Sequence, residues 1–441
     1  MRRFVFLLSV AIVACFTMTM EGQRAVFRFR QRAPVAAAAS GTLCGDATTK
    51  LYVRDGATGA ANGANWTDAY DDLPAALTRG TTYCVADGAY ISYALNDAVS
   101  GTTVIQIVKA TTTDHGTETG WVSTYGDGQA SFGTLTCATQ YWRIDGQTRT
   151  DGAGWTAPTG YGFRADGIAA DSLDGDNCSN SSFRYIDIGP AYTETYVSGW
   201  GVPVRLVYTQ TDITFAYCAL HNGVATLFQG AGADNITWEY CDIGPGWGKE
   251  ALRGGNGSIS SGWITRYNRF WNASQTDPDD PTSGITAEIG IWDFTGTCNG
   301  HEIYGNWFFS DKTGARNAVV LVGGDGAGWV GDGCDGTVFY NNTIASVPEA
   351  SVFPMVDLNG SSTIARNTLF YDVVDADVSA TTTSDNTEVM SDPFVTYASV
   401  NLHLSAQTVA GFTLGSPYNT DRDGVTRGQG VWDLGAYEKV P

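Results

Sequence analysis

The chain has 441 residues, of which 43% are hydrophobic, so it can build a core and is not a disordered polymer. Charged residues reach only 16%, against a usual share near ~25%, and glycine supplies 54 positions, which excludes a coiled coil or helical bundle and points to a turn-rich β protein. Residues 1–40 hold six Arg and one Glu, so of the formal charge of -21 the remaining residues carry -26, a balance that excludes non-specific nucleic-acid binding.

Arg2 and Arg3 precede an apolar run from Phe4 to Ala14, the n-region and h-region of a signal peptide over residues 1–20, too short to span a bilayer. Ile12-Val13-Ala14-Cys15 resembles a bacterial lipobox, in which Cys15 would be lipidated; the alternative is ordinary cleavage near Ala36–Ala39. Both readings export the protein from a bacterium to the surface or the medium, and only a lipid anchor would tie it to a membrane. Residues 21–45 lack apolar periodicity and read as a linker, leaving 46–441 as the folded domain. Within it, Trp66, Ala69, Tyr70, Leu73, Ala76 and Leu77 follow helical spacing, so a short cap helix is expected over 66–79.

The body repeats. Arg184-Tyr185-Ile186-Asp187-Ile188-Gly189-Pro190 is matched by Glu239-Tyr240-Cys241-Asp242-Ile243-Gly244-Pro245, and looser copies follow near 213–220, 264–270, 303–308, 338–344 and 364–369. A shared slot holds Ile186, Cys218, Cys241, Asn268, Asn306, Asn342 and Asn367, at intervals of 32, 23, 27, 38, 36 and 25 residues. Each copy is a short strand with too little apolar surface to fold alone. Stacking the copies about 4.8 Å apart pairs their backbones and buries one continuous core, the logic of a parallel β-solenoid. Asparagine in the slot can bond its own copy on the next coil.

Nine cysteines occur, and removing Cys15 with the leader leaves eight, which with export favours disulfides. Cys218 and Cys241 share the slot on neighbouring coils and are expected to bond, with two stacked thiols as the alternative. Chain order alone suggests Cys44–Cys84, Cys137–Cys178 and Cys298–Cys334. No C-x-x-C and no Cys/His cluster stands out, so a zinc site is not expected.

Leu51-Tyr52-Val53-Arg54-Asp55-Gly56, Asn62-Gly63-Ala64-Asn65-Trp66 and Tyr83-Cys84-Val85-Ala86-Asp87-Gly88-Ala89-Tyr90 resemble the N-terminal cap of secreted right-handed parallel β-helix proteins, the pectate-lyase-like superfamily. Ser416-Pro417, Asp421-Arg422-Asp423-Gly424, Arg427 and Asp433-Leu434-Gly435-Ala436-Tyr437-Glu438 resemble their closing segment, with Asp and Arg tying down the last turns. The resemblance spans roughly 50–438. It implies an all-β right-handed parallel β-helix and export, while the superfamily's lyases, hydrolases and adhesins leave function open.

Chemistry is expected on one external face. Glu250 and Glu288 each lie 18 residues before their slot asparagines, Asn268 and Asn306, so matching coils would place both carboxylates side by side. Carboxyls about 5–5.5 Å apart suit a retaining glycosidase. Joined by Asp293, and by Asp325 on the next coil, they could instead hold Ca²⁺ for lyase chemistry, with Lys249 or Arg253 as base. No cofactor is needed otherwise, and a solvated charge ladder is the bland alternative. Leu252-Arg253-Gly254-Gly255-Asn256-Gly257 resembles an Arg-His-Gly-Asn stretch of chondroitinase-B-like and alginate lyases, but Gly254 replaces the His, and Leu227-Phe228-Gln229-Gly230 on the preceding coil carries no Lys. Lys249, Arg253, Arg266, Arg269, Lys312 and Arg316 form a basic group that could hold an anionic sugar or pair with neighbouring acids. Trp247, Trp263, Trp271, Trp292, Trp307 and Trp329 are candidate sugar-stacking rings or core aromatics. His301 reads as structural. The expected partner is therefore a polysaccharide, met by an enzyme or by a non-catalytic binder.

Overall fold

The structure is a computed structural model that describes residues 43–150, 154–155, 159–167, 171–199, 201–255, 260–279, 287–292, 298–312, 318–323, 333–348, 353–427 and 432–439, with the backbone alone for Trp292. The leader over 1–20, Cys15, Asp293, Arg316, Asp325 and Trp329 lie outside the described residues.

Three parallel sheets of twelve, eleven and ten strands run the length of the domain, each with its strands in chain order. The first sheet extends from Lys50–Val53 to Thr382–Ser384, the second from Gly88–Ala89 to Thr387–Val389, and the third from Tyr93–Leu95 to Val378–Ser379. One coil is a strand in each sheet in turn, so every strand pairs with the strand one coil away. This is the expected parallel β-helix.

The core forms because one column of each sheet points inward in register. In the first sheet Phe183, Phe215, Trp238, Thr265, Ile303, Phe339 and Ala365 align coil upon coil. All are buried. Phe215 and Trp238 stack at 4.1 Å with planes 6° apart.

A single residue turns the chain from the first sheet into the second. Tyr185, Tyr217, Tyr240, Tyr267, Gly305, Asn341, Asn367 and Asp385 all hold φ between 52° and 66° there. A side chain in this left-handed conformation costs roughly 1–2 kcal/mol. The tyrosines offset it by stacking: Tyr185 on Tyr217 at 4.8 Å, Tyr217 on Tyr240 at 5.0 Å and Tyr240 on Tyr267 at 5.0 Å.

The slot follows this turn. Asn268, Asn306 and Asn342 form the expected ladder: Asn306 Oδ1 accepts the Asn268 backbone N–H at 2.9 Å, and Asn342 Oδ1 accepts that of Asn306 at 2.9 Å. The seventh member needs correction. Asn367 is the turn residue itself, Thr368 takes the slot, and Asn386 on the next coil accepts the Thr368 N–H at 3.0 Å. The interval from Asn342 is therefore 26 residues, and a further one of 18 leads from Thr368 to Asn386, shorter than the bare coil expected from the sequence.

Cys218 and Cys241 are free and buried, so the disulfide expected between them is not formed. Each thiol serves in the ladder. Cys241 Sγ accepts the Cys218 N–H at 3.4 Å and lies 3.5 Å from the Phe215 carbonyl, while the Cys241 N–H donates to Asn268 Oδ1 at 2.8 Å. Burial, with Cys218 beside it, pushes the Cys241 thiol well up. The pairings Cys44–Cys84, Cys137–Cys178 and Cys298–Cys334 are all present.

The cap over 66–79 contains no helix. The side chains pack as expected, with Trp66, Ala69, Leu73 and Leu77 buried, whereas Ala76 is exposed. Their backbone donors are taken by distant partners: Trp66 N by Thr119 O, Tyr70 N by Tyr52 O, Leu77 N by Asp97 Oδ1 and Thr78 N by the Tyr83 hydroxyl. Pro74 adds a position without a donor. Among the described residues the only helical turns are the 3₁₀ segments Ser123–Tyr125 and Tyr397–Ser399.

The C-terminal segment lies over the outside of the second sheet. An antiparallel pair, Phe394–Thr396 with Asn401–Leu404, packs with Leu434, Ala436 and Tyr437 against Trp271, Trp307 and Leu369. The Asp and Arg residues of the closing motif hold it as expected. Asp421 accepts the N–H groups of Asp423, Val425 and Glu438, and Arg427 donates to the carbonyls of Asp433 and Gly435.

Candidate functional site

The third sheet presents an outer face that is partly exposed over its first coils. Its inward positions, among them Leu173, Val204, Phe228, Leu252, Ile289, Val320 and Val356, are buried. The residues between them point outward and align as Thr136, Asp174, Arg205, Gln229, Arg253, Gly290, Leu321 and Asp357. The first five are partly exposed, with side-chain exposures of 26% for Asp174, 40% for Arg205 and 24% for Arg253. From Gly290 onward the column is buried.

Charges on this face are matched locally. Arg205 pairs with Asp171 through Nε and reaches both oxygens of Asp174 at 3.3 Å. Burial raises the Asp174 carboxyl, against the opposing pull of Arg205. Arg253 Nε lies 3.9 Å from Glu250 Oε2.

Glu250 and Glu288 stand on adjacent strands, Trp247–Gly255 and Ala287–Trp292, but not opposite each other. Glu250 aligns with Ala287 and Leu252 with Ile289, so Glu288 falls beside Ala251. The return path explains the slip: Leu252 precedes Asn268 by 16 residues, whereas its partner Ile289 precedes Asn306 by 17. One residue of difference moves a strand by half its side-chain repeat. Both carboxylates are also buried rather than solvated. The inward placing of Ile289 and Ile291 holds. Lys249 is an extra residue where the pairing of this strand with Val224–Gly230 shifts, and it is exposed.

The other candidates divide clearly. Trp247, Trp263, Trp271 and Trp307 are buried, so none is an exposed sugar platform; Trp247 meets Tyr196 edge to face at 5.8 Å. The Trp292 side chain lies outside the described residues. Arg266 and Arg269 are committed to carboxylates on the preceding coil. Arg266 Nε donates to Glu239 at 3.0 Å, and Arg269 NH2 to Asp242 at 2.6 Å. Burial alone would raise the Asp242 carboxyl, but Arg269 and its neighbours bring it down to about 2. The basic group is thus a set of structural ion pairs at these positions. His301 is structural as well: its Nδ1 faces the Trp263 N–H at 3.2 Å, and burial pushes it down to about 3.

Sequence reasoning missed three features. The outward column Asp174, Arg205 and Gln229 was legible as single polar residues inside apolar triplets. His221 is buried, with Nε2 2.5 Å from Asp187 Oδ1 and Nδ1 2.6 Å from Asn222 Oδ1. The third is a Cys/His cluster: ligand atoms of Cys298, His301 and Cys334 gather within 4.8 Å of one another. The three-residue step from Cys298 to His301 was its signal. Its two sulfurs are spent on each other as a disulfide. For the Ca²⁺ expectation, Glu250 and Glu288 stand on adjacent strands one residue out of register, and Asp293 is outside the described residues.

No protein-family model matches the chain, and no curated protein matches it. A structural match is pectate lyase Pel9A, with a TM-score of 0.59 and 12% identity over 90% of this chain and 99% of that one. At that identity the likeness concerns the fold alone, a right-handed parallel β-helix.

Proposed function

We propose that this chain is an exported, polysaccharide-binding β-helix protein whose ligand lies on the outer face of the third sheet. The observation that carries the reading is the partly exposed column Thr136, Asp174, Arg205, Gln229 and Arg253. It sets hydrogen-bonding side chains at steps of about 4.8 Å, a regular array suited to a polymer of hydroxylated units. The likeness in fold to a pectate lyase supports it. Three disulfides, each joining neighbouring coils, are consistent with an oxidising compartment outside the cell. The signal peptide and Cys15 lipidation belong to the same proposal, with the membrane reached only through that anchor.

The second reading is catalysis, favoured by Glu250 and Glu288 on adjacent strands at the end of the exposed column. In it the pair serves as acid and nucleophile, or as Ca²⁺ ligands with Asp293. Lys249 and Arg253 lie close by in sequence to assist.

A polysaccharide array run with Ca²⁺ and with chelator, followed by product analysis on every hit, tests both readings. Retention without cleavage is the expected result. Unsaturated products lost on chelation would establish a lyase, saturated reducing ends a hydrolase. Failure to retain any polymer would remove both readings.

A further inference from the structure

We propose that the third-sheet face selects an uncharged polysaccharide and rejects polyanionic chains; this rests on the reading that the face binds polysaccharide at all. The inference comes from the charge balance around the column.

A site for a polyanion needs positive charge to spare. Here each exposed arginine already has an acid. Arg205 is held between Asp171 and Asp174, two carboxylates for one guanidinium. Arg253 has Glu250 at 3.9 Å. Lys249, also exposed, is the remaining cation of this stretch among the described residues, so the three cations Arg205, Lys249 and Arg253 stand among the three carboxylates Asp171, Asp174 and Glu250. A carboxylated or sulfated unit above Arg205 would therefore meet Asp171 and Asp174 as like charges. The surroundings make this worse. Residues 41–441 carry -26, and at low ionic strength that field reaches beyond contact distance, about 30 Å at 0.01 M salt.

A neutral polyol meets no such opposition. Carboxylates accept hydrogen bonds from hydroxyl groups, guanidinium groups donate to hydroxyl oxygens, and the Gln229 amide does both. Acceptor, donor, amide and donor follow one another along Asp174, Arg205, Gln229 and Arg253. The ion pairs fix the side chains before the ligand arrives, which cuts the ordering cost of binding. Charge-neutral binding of this kind should also be almost indifferent to salt.

The test uses the purified full-length chain in affinity electrophoresis and calorimetry. The probes are a neutral β-glucan, xylan and galactomannan, the polyanions polygalacturonate and alginate, and chitosan as the polyamine. Each is run at low and high NaCl, with CaCl₂ and with EDTA. Retention by a neutral polymer, unchanged by salt, is expected, with polyanions bound at least about tenfold more weakly in every condition, a difference of roughly 1.4 kcal/mol. Arg205→Gln and Gln229→Ala should each weaken neutral binding by about tenfold while the far-ultraviolet spectrum stays that of the wild type. Tight binding of a polyanion, with or without Ca²⁺, overturns the proposal, as does chitosan as the sole ligand. Unchanged neutral binding by both folded variants overturns it too, since the site would lie elsewhere. Binding of no polymer removes the polysaccharide reading itself and the selectivity with it.

Discussion

Replacing Asn306 by Ala isolates what the ladder contributes. Asn306 Oδ1 accepts the Asn268 backbone N–H at 2.9 Å and its side-chain Nδ2 at 3.0 Å, while Asn306 Nδ2 donates to Thr265 O at 2.8 Å. All of these groups are buried. In the Ala variant the Asn268 N–H loses its acceptor, which costs roughly 1–3 kcal/mol for a buried donor. The lost bond to Thr265 O adds about 1 kcal/mol. The expected destabilisation is therefore about 3 kcal/mol. Asn306→Cys should lose only part of this, because Cys241 shows a sulfur in the same slot accepting the N–H of the preceding coil. Guanidinium denaturation followed by circular dichroism measures both variants, with the shift in midpoint taken at constant slope. An Ala variant within about 0.5 kcal/mol of wild type, or a Cys variant no better than Ala, would refute the account.

Two further outcomes follow from buried groups. His301 is held near 3, below its ordinary 6.5, so the neutral ring stabilises the fold above pH 6.5, and that stability drains away as pH falls from 6.5 toward 3. Unfolding midpoints across that range should fall less steeply in His301→Gln, and equal slopes would remove the His301 contribution. Cys218 and Cys241 should resist alkylation in the native protein and each take one adduct after unfolding under non-reducing conditions. Mass spectrometry showing them joined instead would restore the disulfide.

What the sequence made legible was whatever the coil repeats. Cys241, Asn268, Asn306 and Asn342 could be aligned because a one-residue turn precedes each of them, and the turn fixes local geometry regardless of the loops elsewhere. The same alignment failed at Asn367, where the turn residue and the slot residue can both be Asn. It failed again at Glu250 and Glu288, because register across the third sheet depends on the length of the return path. A single residue between Leu252 and Asn268, compared with Ile289 and Asn306, was enough to displace one carboxylate. The cap misled for another reason: the burial pattern of Trp66, Ala69, Leu73 and Leu77 is compatible with a helix, but backbone partners such as Thr119 and Tyr52 are remote in sequence. Exposure of Trp271 and Trp307 was illegible because the second sheet's outer face is covered by a tail that begins more than eighty residues after Trp307.

The shortest coil, the 18 residues from Thr368 to Asn386, bears on how such a molecule can change over generations. Each coil donates one outward residue to the third-sheet column. Duplicating or deleting a whole coil would therefore lengthen or shorten the exposed row by one step while every remaining strand keeps the same kind of neighbour. The reach of the face along a ligand is set in whole units by coil number. The residue at each step remains free to vary, because a change there leaves the inward column untouched.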